Sequence, residues 1–217
     1  MARVYSFLNK GKTYRTADKD LQPMKGGSSE TKMNNEKLLE SLKGYALSDL
    51  DLQHILNPDT EIHKYTDLYN IKHIDELFDS LGRCILLYLT EDENTGHWIA
   101  LIKKNNTIEF FDPYGHPPDT QNENLNIPYE NNEAFGQNYP KLLELVKKAG
   151  YKLRFNNKPL QKEDYSIATC GRHTAARLLF YKLSLEQYHE LMEKLENGII
   201  DDADDVVTKL TYDILKK

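Results

Sequence analysis

Cysteine is scarce in this chain, with only Cys84 and Cys170 among 217 residues. Neither belongs to a Cys-x-x-Cys pair, and the histidines show no His-Glu-x-x-His pattern, so the parts of a zinc site are missing. Two unpaired thiols fit a reducing compartment. No apolar run approaches the roughly 20 residues that cross a bilayer, and no membrane partner is expected. The first residues lack the apolar stretch of a secretion signal, so the protein is not expected to be secreted. A basic excess is also absent: the formal charge is −6, and the basic clusters are short, as in Lys103-Lys104, Lys147-Lys148 and Lys216-Lys217. That balance argues against a general nucleic-acid binder. There is no Walker-type or dinucleotide glycine motif, no internal repeat and no heptad array. The remaining composition, 39% hydrophobic and 29% charged, is that of a soluble globular protein long enough for one good core.

The expected organisation is an N-terminal extension, residues 1–31, followed by one domain, residues 32–217. The extension is rich in Lys, Asp, Gly and Ser. Helices are expected over Asn35 to Lys43 with Gly44 as C-cap, Asp49 to Leu56 behind the Ser48 cap, and Ile71 to Leu81. Arg83 to Leu89 reads as an apolar central strand. Pro113 to Asn138 is too long for an ordinary loop and reads as a binding or lid segment or as locally disordered. Beyond it, a helix from Pro140 to Ala149 ends at Gly150, and Tyr151 to Phe155 is a strand. Ser184 with Gln187 makes a capping box for a helix to about Glu196. A last helix starts in the acidic run from Asp201 and ends at Lys216-Lys217, a polarity that suits its dipole.

Three short segments carry chemistry: Gly96-His97-Trp98, Phe110-Phe111-Asp112 and Thr169-Cys170-Gly171. A thiol attacks a carbonyl as thiolate. It therefore needs an imidazole to hold its proton and a third group to orient that imidazole. His97 opens one strand, Asn105-Asn106 turn the chain, and Asp112 closes the return strand, so a hairpin puts the two side by side. After Cys170, the residues Ala175, Ala176, Leu178, Leu179, Tyr181 and Leu183 have helical spacing. In the first turn of that helix the dipole favours a thiolate, and free backbone N–H groups can hold an oxyanion. Gln161 upstream offers a side-chain amide for the same purpose.

Each member also has an ordinary role. Asp112-Pro113-Tyr114-Gly115 reads as a type I turn, and His97-Trp98 as a packed strand end. A buried cysteine is a small hydrophobe, as Cys84 is read within Cys84-Ile85-Leu86-Leu87. Cys170 and His173 are spaced to share a helix face as metal ligands, but His54, His63 and His73 read as surface or helix-end residues. His116 is the alternative base.

The order His-Trp, apolar-apolar-Asp, Gln, then Cys-Gly before a helix resembles the adenovirus-type (adenain) and Ulp1-type cysteine proteases. The resemblance covers roughly Leu47 to Leu183, and Ala46-Leu47-Ser48-Asp49 is similar to the element that opens the Ulp1-type domain. It implies an α+β, papain-like fold whose central mixed sheet sits against a helix with the catalytic cysteine at its N-terminus. It further implies that His97 is the general base, Asp112 its orienter, Cys170 the nucleophile and Gln161 part of the oxyanion hole. Trp98 would line a narrow substrate channel, and no metal or cofactor is called for. Gln161 lies nine positions before Cys170, a longer gap than the family usually shows. An insertion over Lys162 to Ala168 would keep Gln161 in place; otherwise Asn156 or Asn157 is the donor.

The activity implied is a cysteine endopeptidase cutting Gly-Gly-X sites in capsid precursors. That is the maturation protease of a DNA virus or of a virophage- or Polinton-type element, placed in the virion or host-cell cytoplasm. A protease for ubiquitin-like modifiers (SUMO or ubiquitin type) shares the catalytic order, as does a YopJ-like acetyltransferase; a scaffold that merely keeps the fold is the non-enzymatic reading. Adenovirus-type proteases can use DNA as a cofactor, but the charge here gives no support to a nucleic-acid or peptide activator. Met24-Lys25-Gly26-Gly27-Ser28 reads either as a flexible linker or, following the resemblance, as a self-cleavage site after Gly27.

Overall fold

The computed structural model describes residues 29–92, 94–125, 127, 129–198 and 202–216. Gly26-Gly27 and the extension as far as residue 28 lie outside the described residues. Helix α1 spans Ser29–Lys43, beginning six residues before the expected Asn35. Helix α2, Asp49–Leu56, opens as expected: the Ser48 hydroxyl accepts from the Asp51 N–H, and the Asp51 carboxylate accepts from the Ser48 N–H. A short strand that the sequence pattern does not announce, β1, follows at Glu61–Lys64.

The helix expected over Ile71 to Leu81 is only a 3-10 turn at Ile74–Leu77, preceded by another at Tyr65–Tyr69. The Asp79 side chain explains the shortfall. It accepts from the N–H groups of Leu81 and Arg83 (2.9 and 2.8 Å), turning the chain at Gly82 with φ +75 instead of letting the helix continue.

Strand β2 is Arg83–Leu89, β3 Gly96–Lys104 and β4 Thr107–Phe111. Asn105 takes φ +51, as the expected β3–β4 turn requires. The long connection then holds two short helices, α3 at Gln121–Asn124 and α4 at Tyr129–Ala134. It is neither a free lid nor disordered over its described residues. Gln137 grips the end of β2, accepting from Leu89 N–H at 2.7 Å and donating to Leu89 C=O at 2.8 Å. Next come α5 (Lys141–Ala149, capped by left-handed Gly150), β5 (Lys152–Phe155) and α6 (Cys170–Leu179). The chain closes with α7 (Leu185–Gly198), where Ser184 and Gln187 form the expected box, and α8 (Ala203–Leu215), capped by Asp202.

Among the described residues the strands order as β1-β2-β3-β4-β5 in one mixed sheet, antiparallel at β2–β3 and β3–β4 and parallel at β1–β2 and β4–β5. The architecture is the expected α+β one, with Cys170 at a helix N-terminus. Both faces of the sheet are covered, which is why β2 is apolar throughout: Ile85, Leu87 and Leu89 enter one core, and Cys84, Leu86 and Tyr88 the other. The first core packs α2, α6, α7 and α8 through Leu52, Ala175, Tyr188 and Val207. The second packs α5 and the 3-10 turns through Leu142, Leu145, Tyr65 and Leu77. A buried ion pair from Arg177 on α6 to Glu109 on β4 (Nε to Oε1, 2.7 Å) sets the cysteine helix against the hairpin.

Candidate active site

The antiparallel register of β3 and β4 sets Ala100 opposite Phe111, so the chain leaves β4 at Asp112 near the start of β3. His97 Nε2 lies 2.8 Å from Asp112 Oδ1, and both side chains are buried. His97 is also coupled to Cys170, whose thiolate is favoured by the imidazole and by the main-chain N–H groups of Trp98 and Gly171. Cys170 is half-buried at the first position of α6. The hairpin therefore brings His97 and Asp112 together, and α6 delivers the thiol to them.

Asp112 both closes the turn and aims its carboxylate at His97. Its C=O accepts from the Gly115 N–H at 2.8 Å, closing the turn, while its carboxylate faces inward. Oδ1 also accepts from the Tyr114 N–H at 2.8 Å, and Oδ2 from Gln121 Nε2 at 2.9 Å. Burial raises a carboxylic acid, but the His97 charge and these donors outweigh it and hold Asp112 below its ordinary value. For His97, burial opposes the charged ring, while Asp112 and the Cys170 sulfur raise it to about 10. Burial opposes the thiolate of Cys170 as well; His97 and the two N–H groups win, and the thiol is lowered. Cys84 is the contrast, since burial pushes its thiol well up. The site therefore favours a thiolate–imidazolium pair over a thiol and a neutral ring.

Trp98 donates its indole N–H to the Leu47 carbonyl at 3.1 Å. The two side chains close over Gly171, where a Cβ would lie 3.1 Å from Trp98 Cδ1 and 3.2 Å from Leu47 Cβ. They border a groove of about 920 Å³ whose walls include Asp49, Thr60, Glu61 and Gly96. Gln161 is buried with its amide 3.1 Å from the Tyr114 hydroxyl. The segment from Lys162 to Ala168, between Gln161 and the cysteine helix, forms a bulge tied at both ends, by Lys162 N–H to Asp204 (3.1 Å) and Ala168 N–H to the Lys43 carbonyl (2.8 Å).

Asn156, the alternative oxyanion donor, is committed elsewhere. Its Oδ1 accepts from Asp112 N–H at 2.9 Å and its Nδ2 donates to Asp112 C=O at 2.6 Å. His116 reaches Asp112 Oδ2 only at 3.9 Å, on the side away from the His97 contact. His173 is buried and directed to Asp204 (Nε2 to Oδ1, 3.0 Å), an oxygen that also receives the Thr169 hydroxyl. This pair fastens the start of α6 to α8. Gln121, Tyr114 and Asn156 are the site residues that sequence reasoning either missed or gave another role.

Fold and site together define a class: an α+β protein in which a hairpin sets a carboxylate against an imidazole and a helix begins at a thiol coupled to that imidazole. No known family model matches the chain. It is 34% identical over 177 residues to uncharacterized protein V9 of Sputnik virophage, covering 80% of this chain and 99% of that protein. The chain belongs to the family of that virophage protein. Among solved structures it is similar to the central domain of the uncharacterized Lpg1148 protein of Legionella pneumophila, with TM-score 0.40 and 14% identity over 79% of this chain and 97% of that one. It is also similar to the SUMO protease Ulp1 with its catalytic cysteine oxidized to a sulfinic acid, with TM-score 0.34 and 12% identity over 88% of this chain and 98% of that one.

Proposed function

We propose that this chain is a cysteine endopeptidase in which Cys170 is the nucleophile, His97 the acid–base group and Asp112 its orienter. The observation that carries the reading is the buried 2.8 Å contact of Asp112 with His97, beside a helix-first thiol that His97 and two backbone N–H groups hold below its ordinary range. In the reaction, the Cys170 sulfur bonds the carbonyl carbon, and the π pair moves onto oxygen. The Cys170 proton, already on His97, then passes to the leaving amine as the carbon–nitrogen bond breaks. Water, deprotonated by His97, attacks the thioester carbon; the carbon–sulfur bond breaks, releasing the acid product and restoring the Cys170 thiolate beside a protonated His97.

The expected substrates carry Gly-Gly-X: a channel narrowed by Trp98 would favour glycine, which has no Cβ to clash. Kinship with a virophage protein fits processing of virion precursors in a virus-like element. Met24-Lys25-Gly26-Gly27 in the chain itself is a candidate site, read from the intact mass of enzyme kept at high concentration; a persistently full-length chain refutes it.

The activity is tested by offering the protein a Gly-Gly-X peptide, a ubiquitin-like precursor and acetyl-coenzyme A with an acceptor peptide. Peptide cleavage after the second glycine, lost in Cys170→Ala without a change in unfolding midpoint, supports the reading. Cleavage of the modifier alone makes it an isopeptidase, acetyl transfer makes it an acetyltransferase, and residual peptidase activity in Cys170→Ala refutes the assignment.

A further inference from the structure

Tyr114 contacts His97, Asp112 and Gln161. Its ring stacks on the His97 imidazole, with centroids 4.9 Å apart and planes 15° from parallel. Its N–H holds Asp112, and its hydroxyl meets the Gln161 amide. The segment carrying Gln161 is clamped to the same turn, because the N–H groups of Leu160 and Gln161 both donate to the Pro113 carbonyl at 2.9 and 3.0 Å. With the nitrogen end of the amide toward Tyr114, Gln161 Oε1 is buried and has no hydrogen-bond partner. That arrangement leaves a phenol, able to donate, beside an amide whose acceptor is turned away. Rotating the amide by a half-turn gives Oε1 the Tyr114 O–H and leaves Nε2 as a donor in the unpartnered position.

We propose that Tyr114 is a positioning residue whose hydroxyl holds Gln161 Oε1 and so presents Nε2 to the oxyanion formed by Cys170 attack. Burial, with the Cys170 and Asp112 charges, pushes the Tyr114 phenol up, so it remains a donor across the working range. The proposal rests on Cys170 being the nucleophile.

The test uses a peptide aldehyde ending in Gly-Gly. The Cys170 sulfur bonds its carbonyl carbon and the π pair moves onto oxygen, with the thiol proton held on His97, so binding reports the oxyanion hole without turnover. Iodoacetamide is the comparison, since displacing iodide builds no oxyanion. Tyr114→Phe keeps the stacked ring and removes the hydroxyl. It is expected to weaken the aldehyde about tenfold, the loss of one hydrogen bond. Gln161→Ala weakens it at least as much, and the double variant is no weaker than Gln161→Ala alone. Alkylation by iodoacetamide keeps its pace in all three. Wild-type aldehyde affinity in Tyr114→Phe, or penalties that multiply in the double variant, overturns the proposal. If His97→Ala leaves Cys170 alkylation as fast as in the wild type, the thiol is not activated, and the nucleophile assignment falls with it.

Discussion

Replacing Asp112 by asparagine keeps the shape of the acid and removes its charge. The carboxylate accepts three donors: His97 Nε2 and Tyr114 N–H on Oδ1, both at 2.8 Å, and Gln121 Nε2 on Oδ2 at 2.9 Å. Asparagine has one acceptor oxygen. Placed toward His97 and Tyr114, it sets its own NH₂ against that of Gln121. Gln121 is not free to turn, because its Nε2 also donates to the Pro117 carbonyl at 3.0 Å and its Oε1 accepts from the Thr120 N–H at 3.1 Å. One buried polar group left without a partner costs about 1–3 kcal/mol, which a urea titration reads directly.

The second effect falls on the thiol. Burial works against the His97 imidazolium, and it is the Asp112 charge, with the Cys170 sulfur, that lifts it to about 10. Without that charge burial prevails, the ring gives up its proton, and the thiol returns toward its ordinary range. For each unit the thiol regains, the thiolate fraction at pH 6 drops about tenfold while its intrinsic nucleophilicity rises roughly threefold. Alkylation by iodoacetamide therefore slows about three- to fourfold per unit. Near pH 10 the thiol is ionised in both proteins, so the order reverses and the variant alkylates roughly threefold faster for each unit regained. Superimposable rate–pH curves for Asp112→Asn and the wild type would reduce Asp112 to a turn residue and refute the reasoning.

Peptide hydrolysis should run over a broad pH window. A raised His97 keeps its proton until about pH 10, and a lowered Cys170 keeps its charge below the usual thiol range, so kcat/KM falls on the alkaline side near 10; a fall near 7 contradicts the coupled pair. Gly96→Ala puts a Cβ 2.1 Å from the Tyr88 carbonyl oxygen, forcing β2 and β3 apart at the end that carries His97. A loss of about 3 kcal/mol or more is expected in thermal melts, and an unchanged Tm argues against the register. In the native chain, iodoacetamide at pH 7 should label Cys170 and spare fully buried Cys84 in a peptide map; early labelling of Cys84 contradicts its place in the core.

What local pattern could announce was legible in the sequence. The β3–β4 hairpin follows from two strand-like runs around Asn105-Asn106, and the caps at Ser48 and Ser184 need only a few neighbouring residues. The His97–Asp112 contact is a consequence of that hairpin. β1 was not legible, since Glu61-Ile62-His63-Lys64 lacks apolar alternation and is a strand only because it pairs with β2. Gln121 reaches Asp112 because the long connection folds back on the site, a tertiary event with no local signature. The task of Asn156 is set by the sheet and has no local signature. The parallel pairing of β4 with β5 sets Phe110 beside Phe155, which brings Asn156 to the main chain of Asp112 and occupies its amide there.

Hydrolysis of a fluorogenic Gly-Gly-X peptide by the wild-type chain and by Cys170→Ala, at equal concentration and with equal unfolding midpoints, tests the central claim most directly. The account predicts cleavage after the second glycine by the wild type alone. Equal turnover by the two proteins, or no covalent capture of Cys170 by the matching Gly-Gly aldehyde, would contradict it.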